Sequence, residues 1–238
     1  HIKKTFSSAN TNFSKNTIDV VDRFINKTKT HGATYEGIHN SDYSYRFPNI
    51  LGSIKKIFKS CYSEVRRFSN KTYRKDNHNP GYLIPTIIEE FILPFRAFRS
   101  RIFLKKQKSK LAKVNLIDYC FYPLHFEPEI ALQIYARPFQ NQIEVIRNIA
   151  LALPIGMSLV VKEHPRSAGH RPISYYKKIL NIPNVILLGP ENSSHSLVKN
   201  SKIVTIVTGN IGMEAIILKK PLIILGESEY SDLPEHVL

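Results

Sequence analysis

Three short stretches gather residue types that can hold a phosphorylated group and assist its transfer. The first is "TGNIGMEA" (208–215), set between the apolar runs 202–207 and 221–226. Two glycines at a strand-to-helix turn leave backbone N–H groups uncovered, and a helix start adds partial positive charge. Gly209 and Gly212 keep the backbone bare, and Thr208 and Asn210 add side-chain donors for a phosphate. Glu214, about one turn into the helix, can accept from ribose hydroxyls. The same residues also fit a plain tight turn in which Glu214 only steadies the start of its helix. The pattern is neither GxGxxG nor a P-loop, and the loop alone does not choose between the two readings.

The second stretch, "VVKEHPR" (160–166), ends an apolar run in Lys162 and His164. Pro165 fixes its own φ and restricts His164, which holds the imidazole in place to donate to a phosphate or to stabilise a leaving nucleotide. A lone histidine at a strand end is usually a turn residue; sharing an edge with the glycine loop favours the binding role. The third stretch, "FYPLHFEPE" (121–129), carries His125, Glu127 and Glu129 with Pro123 and Pro128. Its carboxylates can bind a base or sugar hydroxyls, serve in acid–base catalysis, or form an exposed loop stiffened by prolines. Farther on, Arg166, His170 and Arg171 make either a solvated loop or a clamp on an anionic substrate. Cys61 and Cys120 stand far apart, with no CxxC and no histidine at zinc spacing, so reduced thiols are expected and neither a metal nor a cofactor is called for.

These stretches need elements to carry them. From residue 114 onward short apolar runs alternate with segments of helical periodicity: runs at 119–124, 157–165, 184–189, 202–207 and 221–226, helices at 142–153, 173–180, 193–200 and 211–219. This alternation predicts parallel βαβ units, a Rossmann-like sheet covered on both faces. Ligands of such sheets bind beyond the carboxyl ends of the strands, which is where all three stretches fall.

Residues 1–113 read differently. They hold 23 Lys and Arg against 8 Asp and Glu, whereas 114–238 hold 11 of each, so the whole net charge of +15 sits in the first half. Residues 17–28 and 53–68 predict basic amphipathic helices, and 69–81 a long polar loop. A helix over 85–106 sets Ile88, Phe91, Phe95, Phe98 and Ile102 near one face. That face is expected to pack on the sheet domain, the other reading being a helix lying on a membrane. No second βαβ rhythm appears, so 1–113 is expected to be a mainly helical insert or the remnant of a partner domain, and 114–238 the ligand-binding domain, cut short at its carboxyl end. The chain starts at His1 and is read as a piece of a longer protein. No apolar run reaches the length of a membrane span.

Taken in order, "FYPLHFEPE", "ALPIGMSLVVKEHPR", "YYKKILNIPNVILLGP" and "TGNIGMEAIILKKPLIILG" resemble the capsule polysaccharide biosynthesis family of bacteria, over roughly residues 114–238. That group is similar to the Kdo transferases of capsule assembly and shares HP and QPE signatures with bacterial sialyltransferases. The resemblance implies the carboxy-terminal, donor-binding half of a GT-B glycosyltransferase. His164 and Pro165 match HP; Pro128 and Glu129 match the end of QPE, with Glu127 where glutamine is usual. It further implies a CMP-linked donor such as CMP-Kdo as substrate, with Gly209 to Gly212 facing its phosphate and Glu214 its ribose. A glycan or glycolipid acceptor is the partner implied; in such a cytoplasmic enzyme the basic first half would attract an anionic acceptor or the anionic inner leaflet of the membrane, touched peripherally. An epimerase or a polyol-phosphate transferase shares the architecture. Nucleic acid, which the basic half would also attract, is disfavoured because the motifs lie in the neutral half.

Overall fold

The computed structural model describes residues 14–32, 49–69, 83–106, 114, 117–127, 131–167, 169–228 and 230. Five parallel strands form one sheet in the order β3-β2-β1-β4-β5: β1 Tyr119–Pro123, β2 Ser158–Lys162, β3 Val185–Leu188, β4 Ile203–Ile206 and β5 Leu222–Ile224. β1 lies at the centre, where Phe121 stands beside Val160 on one side and Val204 on the other. The predicted α/β architecture with a Rossmann-like parallel sheet is what this part of the chain adopts.

Strand alternation divides the core in two. Tyr119 and Phe121 point to one face, packing with Val204, Ile206, Leu197 and Ala215; Cys120 and Tyr122 point to the other, against Leu159, Ile146, Tyr176 and Ile179. Helices α5 Gln142–Ala152 and α6 Ile173–Leu180 cover the second face, and α7 Ser194–Asn200 and α8 Asn210–Ile217 the first. With the first face covered and the second covered over β1, β2 and β3, the strands can be almost wholly apolar. Both cysteines are free thiols; burial pushes that of Cys120 up to about 11.

The described part of the first half is helical: α1 Lys15–His31, α2 Ile50–Ser69, α3 Leu83–Ile87 and α4 Leu93–Lys105, the last two joined through a π turn at Ile88–Ile92. Pro94 explains the π turn. Proline has no N–H to give, and its ring collides with the carbonyl four residues earlier. Widening the preceding turn, so that the Leu93 N–H reaches the Ile88 carbonyl, relieves that collision without breaking the rod. The predicted loop at 69–81 lies almost wholly outside the described residues.

One expectation about these helices is overturned. Ile88, Phe91, Phe95, Phe98 and Ile102 do not pack on the sheet domain but stand exposed. The buried positions are Ala97, Ser100 and Leu104 instead. The π turn rotates the later residues relative to the earlier ones, and only small residues allow the close approach that α4 makes to the sheet domain. At Gly169 (φ 84°) a Cβ would fall within contact of the Leu93 carbonyl oxygen and 3.1 Å from the Ala97 nitrogen. Among the described residues no helix is long and apolar enough to cross a membrane.

Candidate functional site

Because the strands are parallel, the segments after β1, β2, β3, β4 and β5 emerge at one edge of the sheet. After β1, the chain at His125 is clamped. Its backbone N–H donates to the Gln142 Oε1 (2.7 Å), and its carbonyl accepts from the Gln142 amide (3.2 Å) and from the Arg171 guanidinium. This two-sided grip fixes the direction of the imidazole, which is only 9% exposed. Its Nε2 is buried with no hydrogen-bond partner, and its Cε1 lies 4.0 Å from where a Cβ on Gly209 would stand. The ring therefore points at the glycine loop across the sheet edge. Burial, helped by the nearby Arg171 charge, pulls its pKa down to about 4, so it is a neutral imidazole.

His164, after β2, is oriented by its own turn. Its Nδ1 accepts from the Arg166 N–H (3.2 Å), which leaves the proton on Nε2 and makes that nitrogen a donor. Burial, then the charge of Lys162, holds this histidine down to about 3. Phe126 stands between the two loops, its ring centroid 6.1 Å from that of His164 and 5.3 Å from that of His170.

The glycine loop divides its labour. Gly209 (φ 102°) precedes the first turn of α8 and has no atom within 4 Å of its absent side chain apart from His125, so its backbone is bare on an open side. Gly212 is bare for packing: a Cβ there would meet the Tyr230 hydroxyl and lie 2.5 Å from the Ile206 Cδ1. Tyr230 in turn donates to the Gly209 carbonyl. Thr208 is half-buried and Asn210 exposed.

Other residues singled out in the sequence have partners of their own. Arg171, 4% exposed, is bonded to Glu163 and lies 3.6 Å from Glu127 and 5.1 Å over the Tyr175 ring. It is committed to bracing the two loops. Glu127 is also held by the Gln142 amide. Lys162 is buried, and burial brings its ammonium down to about 8. Arg166 and His170 are exposed. Glu214 is 2% exposed and receives the His195 Nδ1 at 2.6 Å, while Gly32, at the end of α1, packs against both. Pro128 and Glu129 lie outside the described residues. Among the described residues no three His, Cys, Asp or Glu side chains converge as a metal site requires.

Four participants were not read from the sequence: Gln142, Glu163, His195 and Tyr230. Glu163 stood within the HP stretch and is marked only by its polarity at a strand end. The others carry no local signal, because their roles arise across separations of 17, 19 and 21 residues. A cavity of about 630 Å³ opens elsewhere, lined by Cys120, Asn148, Met157, Thr205, Ile223 and Leu225 where α5 leaves β4 and β5 uncovered; it contains none of the residues above.

Among solved structures, the chain is similar to a β-Kdo 2,7-transferase unit of KpsC from Thermosulfurimonas dismutans, with 15% identity and a TM-score of 0.41, covering 58% of this chain and 48% of that one. It is also similar to the UDP-GlcNAc 2-epimerase of Methanocaldococcus jannaschii, with 21% identity and a TM-score of 0.41, over 57% and 40% of the two chains. Anabaena HepE, solved with UDP-glucose, follows at 13% identity and a TM-score of 0.35, over 50% and 32%. The chain thus spans about half or less of each of these proteins. No curated protein matches it. Residues 97–233, more than half of the chain, match the family described as capsule polysaccharide biosynthesis protein, and the chain belongs to that family.

Proposed function

We propose that the chain is the donor-binding part of a glycosyltransferase of GT-B architecture, taking a nucleotide-linked sugar, with a CMP-linked donor such as CMP-Kdo favoured, and delivering it to a glycan or glycolipid acceptor. Residues 114–238 form the nucleotide-sugar domain, and 1–113 the remnant of the acceptor side. The observation that carries this reading is the pairing of a buried, unpartnered His125 Nε2 with the bare Gly209 backbone opposite it. A phosphate between them would receive N–H groups from the start of α8 and from the neutral imidazoles of His125 and His164. Donors fixed in advance cost nothing to reorganise, and they stabilise the charge that grows on a departing nucleotide phosphate. Glu214, buried and engaged by His195, steadies the glycine loop from beneath instead of reaching the donor itself, and Pro128 and Glu129 are assigned to the donor site by the family resemblance alone. His125, Glu127, Arg166 and Arg171 border the sugar, Arg171 through the loops it braces.

Titration calorimetry of CMP, CDP, UMP and UDP against the wild-type chain and His164→Ala tests this. CMP is expected to bind best. Losing one hydrogen bond to a charged phosphate should weaken it by about 10- to 100-fold in the variant. Equal, weak heats from all four nucleotides with both proteins would overturn the reading.

A further inference from the structure

The helices of the first half are packed inside out. α2 and α3 run antiparallel, and what joins them is polar. The Ser53 hydroxyl and the Lys56 ammonium donate to Glu90, the Ser60 and Thr86 hydroxyls bond at 2.8 Å, and the Leu83 N–H donates to Glu64 at 3.3 Å. Ser53 and Ser60 are buried, while Leu51 and Phe58 are each 72% exposed, and Ile54, Tyr62 and Val65 on the same stripe are exposed as well. Leu51, Ile54, Phe58, Tyr62 and Val65 recur at helical spacing on the side of α2 away from Ser53 and Ser60. This stripe, together with the exposed Ile84 on α3 and Ile88 and Phe91 on the π turn, is the apolar face, rimmed on α2 by the exposed Lys55 and Lys59.

We propose that this face seats the protein on an anionic lipid surface. An apolar face of this extent is unusual on a protein that meets only water. Charge selects its occupant. Residues 50–69 and 83–105 hold nine Lys and Arg against three Glu, and of the stretches that flank them in sequence 70–82 and 107–113 are net basic, while 33–48 carries two acidic residues against one Arg. The basic stretches 70–82 and 107–113 and a second copy of the chain would both add repulsion, and the single net negative charge of 33–48 does not offset the six net positive ones of the helices. An acidic glycan or nucleic acid would satisfy the lysines but leave Leu51, Phe58 and Ile84 in water. Acyl chains beneath acidic headgroups satisfy both, as they do for other amphipathic helices that lie in a membrane interface. None of these residues lies at the sheet edge, so the proposal stands independently of the nucleotide reading.

The test is co-sedimentation of the 238-residue chain with vesicles of phosphatidylcholine alone and of phosphatidylcholine rich in phosphatidylglycerol, with light scattering on the protein by itself. The wild type should partition onto the anionic vesicles at least tenfold better than onto the neutral ones. Phe58→Glu with Leu51→Glu should abolish binding while far-UV circular dichroism is unchanged. Lys55→Glu and Lys59→Glu should each weaken it about fivefold, which corresponds to about 1 kcal/mol per basic residue near the surface. Absence of vesicle binding by the folded wild type overturns the proposal. So does a concentration-dependent dimer that the Phe58→Glu, Leu51→Glu variant dissolves, since the face would then be an interface between copies.

Discussion

Arg171 carries a charge into a place almost without water, and its surroundings explain how. Burial pushes the Glu163 carboxyl up, while the Arg171 guanidinium, Tyr176 and the His164 N–H pull it back, so the two charges depend on each other. Taking away one member leaves the other buried and uncompensated. Arg171→Met should therefore destabilise the fold by about 3–5 kcal/mol in urea denaturation, whereas exposed Arg166→Met should change it by less than about 0.5 kcal/mol. The two histidines make a second prediction. Unfolded, each titrates near 6.5; folded, His125 titrates at about 4 and His164 at about 3. Across that window the unfolded chain binds more protons, so stability rises with pH and is lost as pH falls from about 6.5 toward 4. Urea midpoints at pH 7 and pH 4.5 should differ more for the wild type than for His125→Gln. An equal drop in both proteins would show that His125 is not buried neutral.

At the scale of elements, the HP loop and α4 hold each other in place. Gly169 lets the backbone of α4 pass at contact distance, and the Arg96 guanidinium donates to the His170 carbonyl at 3.0 Å. A methyl group has no room there, and the positive φ disfavours any side chain. Gly169→Ala should cost about 1–3 kcal/mol in thermal or urea unfolding. Because His164 lies on the same loop, CMP binding should weaken in parallel; unchanged unfolding would mean that α4 does not dock here. Sequence periodicity located α4 as a helix but misjudged its buried face. Spacing reports how residues are arranged around an ideal rod, and it contains neither the extra residue of the π turn nor the preference of a close helix contact for Ala97 and Ser100 over Phe95 and Phe98.

Over the whole molecule, charge and apolar surface are separated from the site. The sheet domain is neutral in sum and gathers the histidines and the glycine loop, whereas the basic helices expose a hydrophobic face. The nucleotide and the anionic lipid proposed above should respond differently to salt. Raising sodium chloride well above physiological strength shortens the screening length to a few ångströms. Attachment to anionic vesicles should then fall several-fold, while nucleotide affinity, set by short hydrogen bonds inside a partly buried site, should change much less. Parallel losses would place both ligands on the same basic surface.

What the sequence determined by itself was the αβ alternation, the strand ends and the gathering of "FYPLHFE", "KEHP" and "TGNIGMEA" on one edge. Each of these follows from local periodicity and from the fact that parallel strands all finish on the same side. It also showed the charge asymmetry, which needs only counting. The tertiary structure decided which of those polar residues remain available. It turned Arg171 into a brace, paired Glu214 with His195 beneath Gly32, left His125 unpartnered opposite Gly209, and exposed the apolar stripes of α2 and α3. The physical reason is that burial and pairing are properties of what surrounds a side chain, and the surroundings of these residues are supplied by segments distant in the chain.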